Sequence, residues 1–164
     1  MAAVDYFLKI DAIDGESKDS VFAKNLDLHS WSWGESNGGS FAAGTGGGGV
    51  GKVSMQDLHF VTPMNAASAK LLQACAGGTH IPFAELCCRE AGDSPQVFLK
   101  IKLTDVLVSS YQTGGSSQGD IRPTDQVSLN FAKIEFAYGP QDEKGKVASL
   151  SMKAGYDLKL NKKV

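Results

Sequence analysis

Any chemistry in this chain would have to come from its histidines, its cysteines or a converging set of carboxylates. The histidines are His29, His59 and His80, and the cysteines are Cys75, Cys87 and Cys88. Cys75 and His80 lie near each other in sequence, but a metal ion needs further donors at ligand spacing, and none follows. Cys87 and Cys88 are adjacent, so on a strand they point to opposite faces. Three cysteines with two adjacent do not make a disulfide framework; reduced, buried thiols are expected. Gly46 to Lys52 has the glycine and Gly-Lys spacing of a phosphate-binding loop. Val53 stands where that loop needs a hydroxyl for magnesium, and a strand pattern follows where it needs a helix. Asp105, Asp120, Asp125 and Asp142 sit at turn signals, where carboxylates cap backbone amides. No strand-to-helix elbow presenting a serine is expected either. The expectation is a protein with no catalytic site, no cofactor and no metal.

Bulk properties narrow the function class. The chain has 164 residues, 42% hydrophobic and 21% charged, as expected for one globular domain over 1–164. A formal net charge of −2 gives no electrostatic case for nucleic acid or an anionic membrane. No apolar run approaches the ~20 residues that span a bilayer. Asp5 lies in the opening stretch and no basic segment precedes an apolar one, so no signal peptide is expected.

The elements read mainly as strands. Tyr6, Leu8 and Ile10 alternate with Phe7 and Lys9, and an acidic turn follows. From Leu26 to Gly34, Leu26, Leu28, Ser30 and Ser32 are expected on one face, with Asp27, His29, Trp31 and Trp33 on the other. The tryptophans are read as core, with a subunit contact as the alternative. Glu35 to Gly51 is too glycine-rich to pack, and reads as a long hairpin loop or an arm that orders against a neighbour. Val53 to Phe60 reads as a strand interrupted at Gln56-Asp57.

Thr62 to Gly78 is the one expected helix, with Pro63 at its first position and Gly77-Gly78 as its stop. Strands are expected over Phe83 to Arg89 and Val97 to Ser109. Val127 to Tyr138 alternates so that both of its faces look covered. A long final strand from Ala148 to Asn161 is expected to bend near Gly155. The fold class is mainly β: a barrel-like pair of packed antiparallel sheets, one side helix and a long glycine-rich loop.

The ordered set of motifs DYFLKIDAIDGESKD, LDLHSWSWGES, GKVSMQDLHF, TGGSSQ, VSLNFAKIEFAY and GYDLKLNKK resembles the Hcp family over nearly the whole chain. These are the tube proteins of type VI secretion systems, related to phage tail tubes. The resemblance implies a structural subunit, not an enzyme. It implies homohexameric rings with a wide channel, stacked into a tube within a sheath and tipped by a spike. The channel carries or chaperones effector proteins. It also implies a protein made in the cytoplasm and exported through the type VI route. The expected ring-stacking arm is Gly44, Thr45, Gly46, Gly47, Gly48, Gly49, Val50, Gly51 and Lys52. Ser32, between the tryptophans, is the expected channel-wall position touching cargo, and no further domain is expected after Val164. The alternative is a monomeric or dimeric β-barrel that binds a small apolar ligand against Trp31 and Trp33.

Overall fold

The computed structural model describes residues 3–39, 51–119 and 121–164. Nine of the described strands belong to one antiparallel sheet. Strand β1 (Val4–Ile10) pairs on one side with the short β2 (Leu26–Asp27) and on the other with β7 (Ile81–Glu90). From β7 the sheet runs to β8 (Val97–Gly114) and then β9 (Thr124–Tyr138).

Strand β9 is long enough to serve two neighbours along its far edge. Its first half pairs with β6 (Leu58–Pro63), and its second half with β10 (Met152–Asp157). Strand β3 (Ser30–Ser32) lies outside β6, and β11 (Lys162–Lys163) outside β10. A separate ribbon joins β4 (Glu35–Asn37) to β5 (Val53–Met55).

Strands β2 and β3 belong to one run of chain whose start touches β1 and whose end touches β6. The amide of His29 donates to Val61 O at 2.8 Å, and the Thr62 hydroxyl donates to Asp27 O at 2.8 Å. The sheet therefore wraps round almost onto itself, barrel-like, with its ladder open between β2 and β6. Leu8, Leu26, Leu58, Phe60, Leu86, Leu103, Val127 and Leu129 fill the inside, each essentially without solvent contact. Leu71 and Ala74 of the single described helix, α1 (Ser68–Gly77), and Ala67 just before it add to that core.

Three expectations are corrected by the register. The first concerns the two covered faces of β9. Val127, Leu129 and Phe131 are buried, and beyond them so is Ile134, which is out of phase with the first three. On β8 the same slip separates Val106 and Val108 from Ile101 and Leu103. Both paired strands change phase together at Asp105, which has φ 55°. A positive φ is uncommon outside glycine, and aspartate is among the residues that tolerate it. One inner face is thus continuous across a shared kink, and what looked like two apolar faces is one face passing through it.

The second correction concerns the tryptophan strand. Leu26 and Leu28 are buried, yet Trp31 and Trp33 also pack against the core. The break between β2 and β3 shifts the alternation by one residue, so both sets point inward. The third concerns the helix and the final strand. Pro63 ends β6 instead of opening α1, since a residue without an amide donor fits the end of a strand. Asn65 forms the turn before the helix, its side chain accepting from the Ala67 amide at 2.8 Å. Gly78 stops the helix in the left-handed region with φ 61°, as expected. The chain does not bend at Gly155; it reverses after Asp157 and returns as β11.

Candidate channel face and arm

Four strands, β3, β6, β9 and β8, share an outward face before the kink. Ser32 pairs with His59, His59 with Ser128, and Ser128 with Ser110, a row running straight across the sheet. The next row is Ser30, Val61, Gln126 and Gln112. Ser32, Ser30, Gln126 and Gln112 are exposed, and His59 Nδ1 lies 3.2 Å from Ser128 Oγ. No lysine, arginine or carboxylate falls in either row. At the end of the patch, Asp57 accepts from Ser109 Oγ at 2.5 Å and from Asn130 Nδ2 at 2.9 Å. Its charge is tied to two neutral donors within the patch.

Ser32 is held by what lies behind it. Trp31 meets Tyr6 edge-on with ring centroids 6.3 Å apart, and Trp33 lies against Phe131 at 6.5 Å. With both tryptophans turned inward, the intervening serine must face out. His59, Ser128, Ser110, Gln126 and Gln112 were not singled out from the sequence. The polar alternation Gln126, Ser128, Asn130 was visible there. Its alignment with β8 depends on the bulge at Ser109.

The glycine-rich segment expected as an arm is flanked by the β4–β5 ribbon, where Asn37 pairs with Val53. Asn37 Nδ2 donates to Gly51 O at 2.8 Å, and Asn37 Oδ1 accepts from the Gly39 amide at 3.0 Å. A side chain at Gly51 would come within 2.8 Å of the backbone of Gly38 and Gly39, so only glycine fits there. Lys52 is exposed. Gly44, Thr45, Gly46, Gly47, Gly48, Gly49 and Val50 lie outside the described residues.

The other chemistry-bearing residues have structural partners. Among the described residues no group of histidine, cysteine, aspartate and glutamate gathers as for a metal ion. All three cysteines are free, and burial pushes the Cys87 and Cys88 thiols up to about 12. Asp105 accepts from Lys159 Nζ at 3.0 Å and contacts His80 Nε2 at 2.9 Å, and these two partners hold its carboxyl below the usual range, Lys159 most strongly. Gly115, Ser116, Ser117, Gln118 and Gly119 do spell the G-x-S-x-G pattern. They sit between two antiparallel strands, with no helix to follow as the elbow requires.

Arg89 fastens the acidic loop after β1. Its guanidinium reaches Asp19 at 2.6 and 3.1 Å and Asp5 at 3.3 Å, and lies 4.8 Å from the centre of the Phe7 ring. The apolar surface that a small ligand would use is a groove between Trp33, Met55, Phe136 and Tyr156, about 420 Å³ in volume. It is open to solvent, not the closed cavity that a ligand-binding barrel requires.

The family described as type VI secretion system effector, Hcp, matches residues 7–138. The chain is 45% identical over 160 residues to protein hcp1 of Pseudomonas aeruginosa, covering 97% of this chain and 98% of that one. A solved type six secretion system protein superposes with a TM-score of 0.93 at 33% identity, covering 99% of this chain and all of the other. Hcp1 from Salmonella typhimurium superposes at 0.82 with 36% identity, over 99% of this chain and 100% of that one. A type VI secretion system effector from Yersinia pestis superposes at 0.73 with 29% identity, over 93% and 99%. Matched by the family over residues 7–138 and 45% identical to the Pseudomonas relative over 97% of its length, this mainly β chain belongs to the Hcp family of type VI secretion tube proteins.

Proposed function

We propose that copies of this chain associate head to tail into hexameric rings, with the Ser32–His59–Ser128–Ser110 face turned toward the central channel. The observation that carries this reading is the pair of open edges bounding that face. Among the described residues no strand pairs with the outer edge of β3, and β7 leaves β8 at Val106, so β8 beyond it is paired on one side only. Open edges invite pairing with another copy. A heterologous contact of this kind closes into a ring when its rotation permits. Apart from Asp57 at its end, already held by Ser109 and Asn130, the wall offers passing proteins serine, glutamine and histidine hydrogen-bonding groups.

In this reading the arm at Gly44 to Lys52 meets the adjacent ring, and the stacked tube lies within a sheath behind a spike. Effector proteins travel in the channel, with Ser32 among the groups they touch. The role is structural and carries no catalysis. Light scattering on a sizing column, with negative-stain images of the same peak, tests the assembly. A ring with a central hole is expected, and a monomer at every concentration overturns the reading. Ser32→Arg should leave the ring intact and abolish effector retention. Undiminished retention would remove Ser32 from the channel wall.

A further inference from the structure

Asn37, the last residue of β4, is the only asparagine in the chain with glycine next to it. Asn25, Asn65, Asn130 and Asn161 precede Leu26, Ala66, Phe131 and Lys162. The backbone nitrogen of the following residue can attack an asparagine side-chain amide, since closing that bond makes an unstrained five-membered ring. A Cβ on the following residue crowds the approach, and glycine has none.

Three local features favour the attack here. Asn37, Gly38 and Gly39 are exposed, and a Cβ built on Gly38 would meet nothing within 4 Å, so the space is open. Among the described residues no backbone carbonyl accepts from the Gly38 amide, so no such bond has to break before its nitrogen reacts. Asn37 Oδ1 already accepts from the Gly39 amide at 3.0 Å. As the nitrogen adds, negative charge collects on that oxygen, and a donor already in place stabilises it.

We propose that Asn37–Gly38 is a self-modification site, at which the asparagine is converted to aspartate or isoaspartate. The Gly38 nitrogen bonds to Asn37 Cγ and the Cγ–Nδ2 bond breaks. The Gly38 amide proton passes through solvent to the departing nitrogen, which leaves as ammonia. Water then opens the cyclic imide at either carbonyl. One water enters, one ammonia leaves, nothing is oxidised or reduced, and the chain gains one negative charge.

The change falls on a structural contact. Asn37 Nδ2 donates to Gly51 O at 2.8 Å, tying together the two ends of the glycine-rich segment. The product carboxylate has no proton to donate, so an acceptor faces an acceptor and the tie is lost. Resting on the reading of Gly44 to Lys52 as the stacking arm, the modification is a slow, one-way loosening of the arm's root.

The full chain is kept warm in mildly alkaline buffer for days beside a synthetic peptide spanning Glu35 to Gly39, and peptide mass spectrometry follows the gain of one dalton and the isoaspartate. The folded chain should react at Asn37 within about tenfold of the peptide's rate, with the other four asparagines unchanged. An unreactive folded chain beside a reactive peptide overturns the proposal. Gly38→Ala fits the backbone without a clash and should stop the reaction; undiminished product in that variant also overturns it. Asn37→Asp supplies the product directly. It should speed deuterium exchange in the β4–β5 ribbon and shorten stacks of rings in negative-stain images while single rings persist. Unchanged exchange and stacking overturn the loosening. If the unmodified chain forms no rings, the assembly reading fails, and the mass measurement still decides the modification.

Discussion

Asp125 has no solvent exposure, and its carboxylate is held by side chains from two other elements. Ser68, at the start of α1, donates to Oδ2 at 2.5 Å, and the Tyr111 hydroxyl on β8 donates to Oδ1 at 3.0 Å. The Ser68 hydroxyl also accepts from the Asn65 amide at 3.0 Å, so the turn into the helix depends on the same atom. Ser68→Ala removes one donor from a buried carboxylate. A hydrogen bond to a charged group is worth about 1.5–3 kcal/mol, and the Asn65 amide loses its acceptor as well, so a loss of about 2–3 kcal/mol is expected.

For a chain of this length that lowers Tm by roughly 4–12 °C. Urea unfolding at fixed protomer concentration is the assay, because assembly would otherwise add its own term. The midpoint should fall while the m-value stays constant, the mark of a change in stability without a change in exposed surface. Tyr111→Phe should cost about 1.5 kcal/mol, and the double variant should depart from the sum because both donors serve one carboxylate. A Ser68→Ala effect within about 0.5 kcal/mol of zero, or strict additivity in the cycle, would refute the view that this carboxylate pins the helix to the sheet.

The remaining predictions concern charge, thiols and close packing. The Arg89 guanidinium brings the Asp19 carboxyl from 3.8 down to about 2, so this pair stabilises the fold above the ordinary carboxylate range and loses that contribution as pH falls through about 2. Arg89→Gln should flatten the stability profile between about pH 4 and pH 2, by no more than about 1 kcal/mol because Asp19 is partly solvated; an unchanged acid limb would exclude the linkage. With Cys87 and Cys88 raised to about 12, only about one thiol in ten thousand is ionised at pH 8. A thiol reagent should therefore label Cys75 in the native protein and all three cysteines only after unfolding, and rapid native labelling of Cys87 or Cys88 would contradict their burial. A side chain at Gly155 would come within 2.7 Å of Val164 and 3.0 Å of Ile134 O. Gly155→Val should shed β11 and cost about 1–3 kcal/mol, measured by thermal unfolding, with no loss expected if the chain end is not packed there.

Much of the architecture was legible from side-chain type and spacing. Period-two apolarity in Tyr6 to Ile10 and Val127 to Tyr138 marks strands because each faces a core on one side. Gly78 marks the end of α1 because the left-handed region there favours glycine, and Ser32 could be placed outward because it lies between two aromatic neighbours. What escaped was every feature created by pairing between distant segments. The phase change at Asp105 is invisible in either strand alone, since β8 and β9 each show two apolar sets and only their register joins those sets into one face. Pro63 and Asn65 suit a helix start as well as a strand end; pairing of Pro63 with Thr124 decided between them. The neutral face has the same cause. Gln126, Ser128 and Asn130 alternate visibly in the sequence, but a surface forms only because four antiparallel strands bring Ser32, His59, Ser128 and Ser110 into one row. Local propensity and periodicity depend on neighbours in sequence, whereas register, bulges and shared faces depend on which strands meet, and that is a property of the folded chain alone.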